Sequence, residues 1–574
     1  MTKKMLSVGA CFIILGLAFA CFLSPVEAAV DEKTAAAIEK WINEFQPSAF
    51  SKEEQRKELE WFAEAAKPYR GMTITSCSET IAPHVFEHDI LTKAFQEITG
   101  ITAKHDLIGE GDVVDRIARQ VQTRRKLYDV FINDADLVGW HLRSGAIVNL
   151  TEYMAGEGKA VTDPYLDLDD FLNLEFGQDY DGNQLQLPDQ QFSALYWYRH
   201  DWFNRPDLKA AFKKKYGYEL AVPLNWSAYE DIAEFFTGRV IDGKKRWGHF
   251  DFAKKGPDLG WRFTDAWLSI AGASDKGLPN GFPVDDWGIR VNEQRIPVGA
   301  SVERGGAVNS PASIYALDKY LTWAKKYAPP SVYSVSATEM LGYAKGGDIA
   351  QFCFYYIVGL WDPGFHKPPM VDAAGNLNWR VAPVPHGKYW QEGMKVGYQD
   401  CGAWTIPKNV KGKNRDAAWL WAQFCVSKTV QLKKFLYGNG PIRKSSIFHP
   451  YVSERMGKWG GVIEFYRSKY EKLYTDSGVN VPHYPLLAEQ WWKNIGPALN
   501  GDITAEEAMN NLAEDMDVLM GKMRLPNYNP VLNPIMPKEF WLDKSKNPGA
   551  PWPEIKEREK PKTMKYEELV EKWK

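Results

Sequence analysis

Between Asp31 and Ala66 apolar residues recur every three or four positions. Ile38, Trp41, Ile42 and Phe45 form one such stripe, which Pro47 ends. Ser51 and Glu54 then supply a capping box for a second helix. After Pro68 the period changes. Met72 to Cys77 is a short β-type run, a helix follows that ends near Gly100, and Ile101 to Ile108 returns to strand character. Asp112 to Thr123 is amphipathic, with Val113, Val114, Ile117 and Val121 on one face. Tyr128 to Ile132 is a buried strand that runs into Asn133-Asp134-Ala135-Asp136. Strands alternating with helices in this way predict a parallel α/β sheet. Ligands of such sheets sit beyond the carboxyl ends of the strands. The residues there are Ser78, Glu79, Thr80, Asn133, Asp134 and Asp136.

The centre repeats the alternation. Trp226 to Thr237, Ala312 to Tyr327 and Ala417 to Val430 read as helices. Ile349 to Gly359, Trp379 to Pro385 and Tyr398 to Ile406 read as strands. Arg524 to Pro561 holds eight prolines, which predicts an extended tail, wrapped on the folded body or partly loose.

The N-terminus adds an address. Lys3 and Lys4 precede an apolar run from Cys11 to Leu23, Ser24-Pro25 breaks it, and Val26-Glu27-Ala28 is a small-x-small site. This order reads as a secretory signal peptide cut after Ala28. Counted from Leu6 the run is 18 residues, so an uncleaved anchor is the competing reading. Cys21 is a weak lipidation candidate, because Ala18-Phe19-Ala20 lacks the leucine that usually starts a lipobox.

The 574 residues are 45% hydrophobic and 14% aromatic. That is too apolar for disorder and enough for about two to four domains or lobes. Seventy basic residues against 73 acidic leave a net charge of −3, without the basic surplus a nucleic-acid binder uses. A mean hydropathy of −0.40 argues against a multi-span membrane protein. Beyond the signal segment the cysteines are Cys77, Cys353, Cys401 and Cys425. An exported chain can pair them, and buried free thiols are equally compatible. No CxxC occurs.

Several segments resemble, in order, the extracellular solute-binding proteins of ABC importers. Gly71 to Thr75, Ala94 to Ile101, Tyr128 to Phe131 and Ile147 to Met154 look like their N-terminal lobe. Leu187-Pro188-Asp189-Gln190-Gln191-Phe192 and Leu195 to Tyr198 resemble the first crossing between lobes, and Asn225 to Asp231 the helix start that follows. Ala382 to Gly387 leads to Tyr398-Gln399-Asp400-Cys401-Gly402-Ala403-Trp404, as at the return crossing. Gly440 to Lys444 and Asn500 to Ala508 resemble the late crossing and the end of the fold. The likeness covers about Tyr69 to Met523. The long form, with Gly109-Glu110-Gly111-Asp112, looks most like the carbohydrate-class proteins of glycerol-type importers.

The resemblance implies an α/β fold of the type II periplasmic-binding-protein kind, two lobes with hinge crossings and a cleft. The implied divisions are a signal peptide (1–28), a helical extension (29–68), the first lobe (69–191) and the second (192–397). A return to the first lobe (398–440), the C-terminal part of the second (441–523) and a proline-rich tail (524–574) follow. It implies a periplasmic, monomeric protein without cofactor or catalysis. Such a protein would hold a polyol or sugar and pass it to permease and ATPase subunits on separate chains. Carboxylates and amides suit hydroxyls, and aromatic rings suit C–H faces. The candidate ligand residues are therefore Glu79, Asp134, Gln190, Gln191, Tyr355, Tyr356, Asp400, Trp404, Arg443 and Trp491.

Two rivals come from the residues themselves. His84-Val85-Phe86-Glu87-His88 fits H-x-x-E-H, in which His84 and His88 would bind zinc beside the base Glu87 of a secreted peptidase. Abundant aromatics and carboxylates would also suit a secreted glycoside hydrolase. No G-x-x-x-x-G-K-[ST] occurs, so the chain is not the ATPase itself.

Overall fold

Asp31 accepts the Thr34 N–H at 2.9 Å and starts helix α1 (Glu32–Glu44), which buries Ile38, Trp41 and Ile42. The structure is a computed structural model that describes residues 30–256, 259–260, 262–277, 283–354, 363–547 and 552–573. The signal segment, Cys21, Tyr355 and Tyr356 lie outside the described residues. Helix α2 (Lys52–Ala65) opens with the expected capping box of Ser51 and Glu54. Strand β1 (Thr73–Glu79) follows. The next helical stretch has three parts: α3 (Ala82–Phe86), a π-helical turn (Glu87–Leu91) and α4 (Thr92–Thr99). Then come β2 (Thr102–Ile108), α5 (Glu110–Thr123), β3 (Val130–Asp134) and α6 (Val138–Ser144).

Strand β4 (Leu187–Ser193) is buried along its whole length and leads into β5 (Leu195–Arg199). Helices α7 (Trp226–Phe236) and α8 (Pro311–Tyr327) and strands β6 (Gln351–Phe354) and β7 (Trp379–Ala382) build the second half. Strand β8 (Gly397–Thr405) is again wholly buried. The helix expected over 417–430 is instead two, α9 (Lys413–Val426) and α10 (Lys428–Tyr437). Ser427 breaks them apart with extended backbone angles, φ −61° and ψ 153°. Strand β9 (Tyr474–Thr475), α11 (Tyr484–Asn500) and α12 (Ala505–Lys522) complete the body.

Two sheets organise the chain. The larger has six strands in the order β9-β8-β3-β1-β2, with β4 also paired to β8. Strand β1 lies parallel to β2 and β3, as the alternation predicts, whereas β8 runs antiparallel to β3 and β4. The smaller sheet is β6-β5-β7, antiparallel throughout. Two large clusters make up the core. Ile42, Phe62, Phe95, Trp421 and Phe424 pack in the first lobe, and Trp197, Phe236, Trp267, Trp323 and Trp491 in the second. The second cluster also takes in Ile117, Phe131 and Trp140 from the first lobe. At roughly 1.5–3 kcal/mol for each large apolar side chain buried, these clusters supply the main favourable term of folding. The four cysteines are separate thiols.

The tail is folded onto the body. The Asn527 N–H and side-chain amide donate to the carbonyls of Arg143 and Leu142 in α6, at 2.9 and 3.0 Å. Thr563–Met564 pairs with Val222–Pro223, and the last helix, α13 (Tyr566–Trp573), sets Trp573 against Phe465. Where α6 meets the loop before α11, the two backbones touch. A Cβ on Gly139 would lie 2.1 Å from the Gly478 carbonyl, and one on Gly478 would lie 1.8 Å from the Asp136 carbonyl. Arg143 ties the same contact by donating to the Val479 carbonyl at 2.8 Å. Among the described residues no helix is long and apolar enough to cross a membrane.

Candidate functional site

Strand alternation sorts the end of β1 into two chemistries. Ser78 points into the first lobe, where its hydroxyl lies 2.9 Å from His105 Nε2. Glu79, on the opposite face, accepts a hydrogen bond from the Gln190 side chain of β4 at 3.1 Å. Gly402 of β8 stands opposite both Gln190 and Asp134 in the sheet register. A Cβ at 402 would lie 2.9 Å from the Gln190 side chain, so the glycine makes the room that Gln190 occupies.

Asp134 ends β3. Its N–H donates to the Asn133 side chain at 2.9 Å, and its carbonyl accepts from the Gln186 amide at 3.1 Å. Asp400 on β8 accepts from the Tyr398 hydroxyl at 2.9 Å and from the Cys401 N–H at 2.7 Å. The same Tyr398 hydroxyl lies 3.3 Å from Asp136. Asp134, Asp136 and Asp400 each place a carboxylate oxygen within 4.8 Å of the others. Across from them Lys395 donates to Asp286 at 2.6 Å, to the Asp476 carbonyl at 2.8 Å and to Ser477 at 2.9 Å.

Crowding raises the carboxyls. Burial, and then the Asp134 charge, push Glu79 up to about 8. Burial takes Asp134 up to about 6. Burial, followed by Asp134 and Asp476, holds Asp400 well above the usual carboxylate range.

The candidates from sequence divide. Glu79, Asp134, Gln190 and Asp400 come together at this one place, at the carboxyl ends of β1 and β3 and on the antiparallel strands β4 and β8. Gln191 faces away and donates to the Leu172 carbonyl at 3.2 Å. Trp404 lies in the first-lobe core, donating to Asp189 at 2.8 Å. Arg443 is buried as a tie between segments. It donates to the Val426 and Leu166 carbonyls at 2.8 and 3.0 Å and covers the Phe171 ring. Trp491 is buried in the second lobe against Phe263 and Trp287, and its indole N–H has no partner among the described residues. Reading from sequence passed over Tyr398 and Lys395. Tyr398 stands inside the quoted Tyr398-Gln399-Asp400 segment, and its period-two relation to Asp400 puts the two on one face.

The H-x-x-E-H motif is not a metal site of that pattern. The π-helical turn beginning at Glu87 shifts the register, so His84 is buried while His88 is exposed and pairs with Asp89. His105 joins His84 and Glu87 instead. Lys434 already pairs with Glu87 and, at 2.6 Å, with Asp189, and both His105 nitrogens face the hydroxyls of Ser76 and Ser78. Burial pushes Glu87 up, but Lys434 and the histidines outweigh it and hold the carboxyl well below its usual range. A zinc ion would have to displace an ammonium that fits.

Residues 86–432, more than half of the chain, match the family of bacterial extracellular solute-binding proteins. The chain belongs to this family. It is a transport binding protein and not an enzyme. Solved structures share its fold. A ribitol complex of an ABC transporter solute-binding protein from Agrobacterium radiobacter K84 is 20% identical, covers 79% of this chain and 100% of its own, and has a TM-score of 0.60. Maltose-bound T. maritima MalE3 is 17% identical over 78% of this chain and 100% of its own, with a TM-score of 0.58. A D-mannitol complex from Agrobacterium vitis S4 is 17% identical over 79% and 100%, with a TM-score of 0.57.

Proposed function

We propose that this protein is the substrate-binding component of an ABC importer and captures a polyol or sugar, glycerol-like in its chemistry, between its lobes. The carboxylates Glu79, Asp134, Asp136 and Asp400 with the amide of Gln190 carry this reading. They gather where a parallel sheet presents its strand ends, and they sit on the strands that pass between lobes. Carboxylates accept from hydroxyls, and the amide can both accept and donate. Solutes of this kind, ribitol, maltose and mannitol, occupy solved structures of the same fold. Tyr355 and Tyr356 would supply the apolar face, and contacts to both lobes would favour closure. The segment 1–28 would direct the chain to the periplasm, where it would hand its load to a separate permease and ATPase. A thermal-shift panel of polyols and sugars tests the reading, because a ligand held only by the folded form raises its melting temperature. Saturable stabilisation by at least one member is expected; a flat panel refutes it.

A further inference from the structure

A groove of about 1080 Å³ lies where the ends of α5 and α6, the turn 407–411 after β8 and the tail at Arg524–Pro526 come together. It is at the amino end of β3. Helix α5 stops at Thr123, just before that strand, and Thr405 at the end of β8 is in register with Phe131. Asp134 and the acids around it are at the carboxyl end of the same strand, so the groove is a separate place.

Its lining carries Arg124, Lys408, Lys411, Arg415 and Arg524 and no Asp or Glu, in a chain whose net charge is −3. Arg415 is paired with Glu157 at 3.3 Å, and Arg524 donates to the Gly521 and Met523 carbonyls at 2.9 and 2.7 Å. The guanidinium of Arg124 and the ammonium groups of Lys408 and Lys411 are exposed and have no hydrogen bond or ion pair among the described residues. Outside the described residues the acids are Glu27, Asp258 and Asp362, one to a segment and fewer than the groove's cations. His483 in the same wall adds no charge at neutral pH: burial brings it down to about 4, and its ring stacks on Trp140.

A concave surface lined by one sign of charge gathers the opposite sign from solution. The rest of the lining chooses among anions. Val121, Leu525 and Pro526 give apolar surface. The Gln122 side-chain amide, unpartnered among the described residues, offers a donor and an acceptor together. A peptide segment uses every part: carboxylates for the cations, aliphatic carbons for the apolar wall and a peptide group for the amide. Polyphosphate lacks the apolar carbons and the donor, and a flat bilayer does not enter a groove. We propose that this groove docks an acidic segment of a partner protein, with Arg124, Lys408 and Lys411 meeting its carboxylates. The proposal does not depend on which solute the carboxylate site takes.

Fluorescence anisotropy on the full exported chain tests it with two labelled peptides, Glu-Leu-Asp-Glu-Ala-Asp-Leu-Glu and a neutral counterpart with Gln and Asn in place of the acids. The acidic peptide should bind saturably at low ionic strength, at least tenfold tighter than the neutral one, and should weaken as salt is added. Lys408→Gln combined with Lys411→Gln should cost at least tenfold in affinity, and Arg124→Gln alone at least threefold. Lys325→Gln combined with Lys326→Gln, two exposed cations of α8, removes the same charge elsewhere and should cost less than twofold. All substitutions are of exposed side chains, and the variants are checked for wild-type circular dichroism. The wild-type comparison of the two peptides needs no variant at all. No saturable binding of the acidic peptide, equal binding of the neutral one, or equal losses in the two double variants overturns the proposal. Phosphatidylglycerol vesicles or polyphosphate held through Lys408 and Lys411 more tightly than the peptide would assign the groove to phosphate, and that overturns it as well.

Discussion

Two groups of buried charge lie within the first lobe and at its edge, and they are built on opposite plans. Around Lys434, opposite charges meet: Glu87 and Asp189 face one ammonium, His84 lies 3.1 Å from Glu87, and Trp404 donates to Asp189. At the cleft, acids meet: Asp134, Asp136 and Asp400 gather within 4.8 Å of one another, and one tyrosine hydroxyl, that of Tyr398, reaches Asp136 and Asp400. Like charges about 5 Å apart repel by roughly 3 kcal/mol at an effective dielectric near 20. The first arrangement is complete without a visitor. The second raises its own carboxyls instead. Burial of ionisable groups is common to both, so burial alone does not mark a binding site; the gathering of raised acids at strand ends does.

Breaking the first group should cost most. Lys434→Met leaves Glu87 and Asp189 buried without their cation, and chemical denaturation should show a loss of about 3–5 kcal/mol. Asp400→Asn should do the reverse at the cleft. Its melting temperature at neutral pH should hold or rise while affinity for the best polyol or sugar falls at least tenfold; equal destabilisation in the two variants would erase the contrast. Acidity sharpens it further. Glu79 binds its proton more tightly folded, about 8 against an ordinary 4.5, so its contribution to stability is complete below pH 4.5 and declines as pH rises to about 8. Glu79→Gln should therefore gain on the wild type across that interval, and parallel melting profiles would show that Glu79 titrates normally. The smallest effect belongs to the tail. Asn527→Ala deletes one hydrogen bond to α6, about 1 kcal/mol at most, and amide exchange in α6 should quicken by no more than about fivefold.

The regular elements were legible because they follow from local rules. The α1 stripe, the Ser51 cap and the β1-to-β3 alternation stand close to where periodicity puts them. The exceptions are non-local. The extended Ser427 that parts α9 from α10 lies in an apolar stretch with no glycine or proline to announce it. Of the candidate site, the carboxylates at strand ends could be read, since alternation and strand direction fix where they point. Trp404, Gln191 and Arg443 could not be sorted, because their neighbours Asp189, Leu172 and Val426 come from distant parts of the chain. The His88 register likewise depends on a π-helical turn that a four-residue spacing does not reveal.

Gly139 and Gly478 leave less than a methyl's width between α6 and the loop before α11. A side chain at position 139 would act as a doorstop. Alanine there would push the segment around Gly478 off α6 without replacing Glu79, Asp134 or Asp400. What this tight seam is worth to the fold could then be weighed apart from the carboxylates.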